Sequence, residues 1–113
     1  MQLIDSGSEM KKLAFKMKLK PGFKEEYQRR HNELWPEVKK LLSDNGISDY
    51  SIFFDEETNT LFAVEKIDDR VAWKDLSNEP AIKKWWEHLA DIMEVNPDNS
   101  PVISKLEMVF HLN

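Results

Sequence analysis

No cysteine occurs in this chain, which excludes disulfides, thiolate nucleophiles and cysteine-held metals. That absence fits a reducing compartment, and a cytoplasmic location is expected. Glycine is almost as scarce. Gly7, Gly22 and Gly46 are the only 3 in the chain, too scattered to form a phosphate-cradling loop, so no nucleotide cofactor is expected. No apolar run approaches the ~18 residues that a membrane-spanning helix needs. Basic residues are outnumbered, 16 against 21 acidic ones, for a net charge of -5. A groove that tracks nucleic-acid phosphates would have to be built against that field. Neither a membrane nor a nucleic acid is an expected partner.

What is present suits a single domain: 113 residues, 41% hydrophobic and 33% charged. Residues 1–9 lack the basic start and apolar stretch of a secretion signal, and a second methionine, Met10, follows them. They are expected to be an expression remnant or a disordered extension, leaving residues 10–113 as the domain.

Hydrophobic periodicity divides that domain into elements. In 12–20, Leu13, Phe15, Met17 and Leu19 alternate with lysines, which predicts a strand with one buried face. Pro21-Gly22 ends it. From 23 to 42 the spacing changes to three and four, with Tyr27, His31, Leu34, Val38 and Leu41 on one helical stripe. Pro36 cannot donate a hydrogen bond four residues back, so the helix should kink or restart between Asn32 and Pro36, and Asn45-Gly46 should end it.

Residues 47–55 and 60–67, rich in β-branched and aromatic side chains, read as a hairpin across an acidic turn. Asp68 or Asp69 can cap a short helix through Trp73 and Leu76. Pro80 opens a further helix whose apolar face is marked by Ile82, Trp85, Trp86, Leu89, Ile92 and Met93. After the turn formers of 96–101, the alternation of Leu106, Met108, Phe110 and Leu112 predicts a last strand whose apolar side continues that of the first. The order β-α-β-β-α-β is that of an α+β, ferredoxin-like sandwich, with helices on one face of a four-stranded antiparallel sheet and the other face open.

Several residues are candidates for chemistry. Tyr27 and His31, four apart on a helix, share a face and can reach one small ligand, and imidazole is the side chain best able to exchange protons near neutrality. Spacing alone equally allows a core histidine beside a packing tyrosine. Trp85 and Trp86 point about 100° apart on a helix, so one of the two indoles is available to stack on a sugar or to meet another subunit. Tyr50 falls on the side of Ile52 and Phe54, where a core ring with a partnered hydroxyl is expected. Arg29 and Arg30 lie off the apolar stripe and are expected to be solvated, without a role. His31, His88 and His111 fall in separate elements with no ligand pair, so no metal site is expected.

The run Glu25-Glu26-Tyr27-Gln28-Arg29-Arg30-His31-Asn32, continuing to Trp35-Pro36-Glu37, closely resembles the first-helix signature of the L-rhamnose mutarotase family. The Trp85-Trp86 pair and the 96–101 turn resemble its later motifs, and the similarity runs from Met10 to the end of the chain. The resemblance implies a homodimer of the dimeric α+β barrel type. It also implies exchange of the α and β anomers of L-rhamnose without a cofactor. His31 would be the proton donor, with Tyr27, Tyr50, Trp85 and Trp86 contacting the sugar. Two other readings use the same residues: a monooxygenase-like enzyme of the dimeric barrel class, and a metabolite-binding module without turnover.

Overall fold

The structure is a computed structural model that describes residues 10–70 and 76–113. Residues 1–9, and with them the expectation of an extension, lie outside the described residues, as does most of the short helix expected through Trp73.

Strand β1 (Met10–Lys18) is followed by helices α1 (Lys24–Asn32) and α2 (Pro36–Asp44), the hairpin β2 (Ile47–Asp55) and β3 (Thr60–Asp68), helix α3 (Pro80–Leu89) and a short β4 (Ser104–Leu106). The sheet order is β2-β3-β1-β4, with every neighbouring pair antiparallel, as a ferredoxin-like α+β fold requires. The expected break at Pro36 is a restart rather than a kink. Proline occupies the first turn of α2, where its missing N–H costs nothing, and Trp35 before it is extended. Gly46, at φ 78°, then takes the left-handed turn that leads into β2.

Register assigns the faces of the sheet. Met17 pairs with Leu61 and Phe15 with Ala63, and this side packs under Tyr27, Val38, Ile82, Trp85 and Leu89. Each fully buried aliphatic side chain here, Leu61 for example, contributes roughly 1.5–3 kcal/mol. On the opposite side Ala14 pairs with Val64 and Leu106, and Lys16 with Phe62. Among the described residues no helix covers this face, and Phe53 on it is 63% exposed.

Two expectations are corrected. Helix α3 stops at Leu89, so Ile92 and Met93 are not on its face. They are buried because the chain turns back against the end of β1, where the Lys20 N–H donates to the Ile92 carbonyl at 2.9 Å and Met93 bridges to Leu19. The last strand covers Ser104–Leu106 instead of 106–112. Leu106 sits opposite Ala14, so its apolar side faces away from Phe15 and Met17 and lies on the open face. Met108, Val109, Phe110 and Leu112 beyond it are exposed, Val109 to 90%. An alternating segment gains little by pairing when nothing covers the face it would extend.

Candidate active site

Helix α1 carries Glu25 and Glu26 in its first turn and Arg29, Arg30 and His31 in its last, an arrangement that complements the helix dipole at both ends. His31 Nδ1 lies 3.0 Å from the Tyr27 carbonyl oxygen. A carbonyl can only accept, so Nδ1 carries the hydrogen, and Nε2 is the nitrogen that gains or loses a proton. The Tyr27 and His31 rings lie 4.1 Å apart, tilted by 30°. Burial holds His31 below the usual histidine pKa, an effect only partly opposed by the bond to Tyr27.

Trp85 meets the His31 ring edge-on at 5.4 Å and the Trp35 ring at 5.1 Å. His88 closes this aromatic cluster, 5.4 Å from Trp35 and 5.6 Å from Trp85. Trp85 is a core residue and Trp86 is half-buried, and both line the same cavity. The 100° divergence of neighbours on α3 therefore seats one indole in the core without taking the other out of reach of a ligand.

Arg30 departs from expectation. Its side chain is only 12% exposed and donates to the His88 carbonyl at 2.6 Å, to both Asp91 carboxylate oxygens at 2.8 and 3.2 Å, and to Glu26 at 2.7 Å. The guanidinium fork thus fastens the last turn of α1 to the end of α3, fixing the distance between His31 and the tryptophans. The signal was its position one residue before His31, although no spacing rule names a partner 61 residues away. Arg29 stays at the surface with Glu26 and Glu33.

Tyr50 is brought to the site by an irregularity. Ser51 pairs with Val64 and Ser48 with Lys66, so Asp49 and Tyr50 together oppose Glu65 in a bulge, with Asp49 at φ 49°. Tyr50 was expected in the core but lies at the cavity rim, 38% exposed, its ring edge-on to Phe15 at 6.4 Å. Desolvation of the hydroxyl, reinforced by the Glu65 carboxylate, pushes its phenol well above the ordinary range. Burial does the same to the Tyr27 phenol.

The cavity has a volume of about 640 Å³, within the range usual for small-ligand sites. It brings together all five candidate residues, Tyr27, His31, Tyr50, Trp85 and Trp86. Sequence reasoning missed Gln28 and Asn32, which line it as well. They follow Tyr27 and His31 by one position and repeat their spacing of four, which was the available signal. Among the described residues no three His, Asp or Glu side chains gather as a metal site. The arrangement offers the imidazole of His31, the Lys24 side chain, two phenols, amide groups and a broad apolar wall, which is a set suited to proton transfer on a small polyhydroxylated ligand.

Comparison with known proteins gives one consistent result. The sequence profile described as L-rhamnose mutarotase matches residues 12–112. The L-rhamnose mutarotase of Formosa agariphila is 59% identical over 103 residues, covering 91% of this chain and 99% of its own. That of Bacteroides thetaiotaomicron is 57% identical over 104 residues, covering 92% and 100%. The crystal structure of a Formosa agariphila L-rhamnose mutarotase superimposes with a TM-score of 0.84 at 58% identity, covering 91% of this chain and 99% of that one.

Proposed function

The chain belongs to the L-rhamnose mutarotase family and exchanges the α and β anomers of L-rhamnose; from that premise we propose that His31 is the proton donor and that Tyr27, Tyr50, Trp85 and Trp86 hold the sugar. The observation that carries this reading is the bond from His31 Nδ1 to the Tyr27 carbonyl, which fixes the imidazole and leaves Nε2 as the acid of the cavity wall.

Anomer exchange requires a proton on the ring oxygen as the bond from that oxygen to the anomeric carbon breaks, and loss of the anomeric hydroxyl proton. Rotation of the resulting aldehyde and reversal of both transfers gives the other anomer. The His31 imidazolium supplies the first proton. Its depressed pKa makes it a stronger acid than free imidazolium, and a positioned acid of this kind contributes about 10²–10⁴-fold. The tyrosines, kept protonated by burial, donate to sugar hydroxyls. The indoles of Trp85 and Trp86 pack on C–H faces and on the methyl group of the deoxy sugar.

The active form in this reading is a cytoplasmic homodimer. The uncovered sheet face, with Phe53 and Leu106 on it, and the exposed apolar side chains after β4 support cover by a second copy. Saturation transfer between the two anomeric protons of L-rhamnose tests the activity. Transfer well above buffer is expected with the native protein, and transfer equal to buffer would overturn it.

A further inference from the structure

Helix α1 carries two sets of polar side chains with different fates. Away from the cavity they are paired: Glu26 holds Arg29 and Arg30, and Arg29 also reaches Glu33. Lys24, Gln28 and Asn32 line the cavity instead, and among the described residues no hydrogen bond or ion pair engages their side chains. Gln28 and Asn32 are both exposed, one residue after Tyr27 and His31 respectively. Four residues advance a helix by about 6 Å, so the two amides are set apart on the scale of a pyranose ring.

The rest of the wall gives these amides a task. A sugar hydroxyl donates a hydrogen bond as well as accepting, so a site that holds several of them needs acceptors. The described lining contains no aspartate or glutamate. The Lys24 ammonium, the His31 imidazolium and the indole N–H groups of Trp85 and Trp86 are donors only. The phenol oxygens of Tyr27 and Tyr50 share their electrons with the rings and accept weakly. The carboxamide oxygens of Gln28 and Asn32, each with two lone pairs, are left as the strong side-chain acceptors of the described lining. Each amide also has an NH2 group beside that oxygen, so it can accept from one hydroxyl and donate to the next.

We propose that Gln28 and Asn32 are specificity-determining residues whose carboxamide oxygens accept hydrogen bonds from sugar hydroxyls at C2, C3 or C4. The proposal rests on the reading of this cavity as the mutarotase site. No proton changes owner in these contacts, so they are separate from the transfer at His31. They hold the sugar through both opening and closure of the ring. Contacts made equally to substrate and transition state act on KM more than on kcat. A sugar without the partner hydroxyl leaves an amide unpaired, and the site discriminates against it.

The test measures kcat and KM by saturation transfer for native protein, Gln28→Met and Asn32→Leu, on L-rhamnose and on its analogues that lack the hydroxyl at C2, C3 or C4. Both positions are exposed, so the variants should fold. On L-rhamnose each variant should lower kcat/KM about 2- to 13-fold, mostly through KM, the worth of one neutral hydrogen bond. On the analogue that lacks the partner hydroxyl that loss should vanish, leaving native protein and variant equal. Losses of the same size on L-rhamnose and on every analogue would overturn the proposal, because the amides would then act through the fold of α1. Native kcat/KM in both variants on L-rhamnose would overturn it as well. In either case a slow His31→Ala protein would leave the cavity as the active site, whereas His31→Ala at the native rate would overturn the cavity reading and this proposal with it.

Discussion

The imidazole of His31 is tied by Nδ1 to the carbonyl of Tyr27, one helical turn before it, at 3.0 Å, while the two rings lie 4.1 Å apart. One tyrosine thus fixes the histidine through its backbone and packs against it through its side chain. Substitutions of Tyr27 can separate these roles. Tyr27→Phe keeps the carbonyl and the ring, and should lower kcat/KM only about 2- to 13-fold, the worth of one neutral hydrogen bond of about 0.5–1.5 kcal/mol to the sugar. Tyr27→Ala removes a buried ring and should destabilise the fold by about 3–5 kcal/mol, readable by urea unfolding.

The His31 shift has a defined sign in stability. Its folded pKa lies below the unfolded value of about 6.5, so between the two the unfolded chain binds more protons. The stabilising contribution is complete above pH ~6.5 and is lost as pH falls toward the folded value. Urea unfolding across this window should show native protein losing stability on acidification more steeply than His31→Gln. Equal slopes would contradict the shift.

The same shift acts on rate in the opposite direction. The donor must be charged, so kcat/KM should fall as pH rises through the folded His31 pKa, giving an alkaline limb centred below pH ~6.5. Replacing His31 should remove that limb.

Arg30→Ala should lower stability by about 1 kcal/mol, a modest figure because Asp91 at the far end of the fork is exposed. Because the fork spaces α1 from α3, kcat should fall as well, even though Arg30 donates to Glu26, Asp91 and the His88 carbonyl rather than to the sugar. Arg30→Lys should not restore it, since a single ammonium cannot engage both Asp91 oxygens in parallel. Thermal unfolding and exchange rates on the same samples check both effects.

Phe53→Glu places a charge on the open sheet face where the native ring is 63% exposed. The fold should survive, since the ring is not in the core. If the proposed homodimer forms through this face, light scattering should report two chains for native protein and one for the variant. A dimer that persists would move the interface elsewhere.

Much of this structure was legible in the sequence because local rules and tertiary packing agree there. Pro36 both breaks one helix and starts the next. The β2–β3 hairpin and the helix-facing residues of β1 follow directly from period two. The reading failed where partners are distant. Arg30 appeared solvated because its acceptors at His88 and Asp91 lie 58 and 61 residues further along the chain. Alternation in 106–112 signals a strand, but a strand also needs a face to cover, and the described residues leave that face open. Tyr50 is the clearest case. Its strand was evident, whereas the bulge at Asp49 that precedes it has no signature in composition. All five residues expected at the site line one cavity, but the polar pair Gln28 and Asn32 beside them was missed although it repeats the spacing of Tyr27 and His31.

His31→Ala tests the central claim most directly, by saturation transfer between the anomeric protons of L-rhamnose on the acid side of the native protein's alkaline limb. The account predicts that native protein exchanges the anomers and that the alanine variant, still folded, does so 10²–10⁴-fold more slowly. A folded His31→Ala protein that exchanges them at the native rate would contradict it.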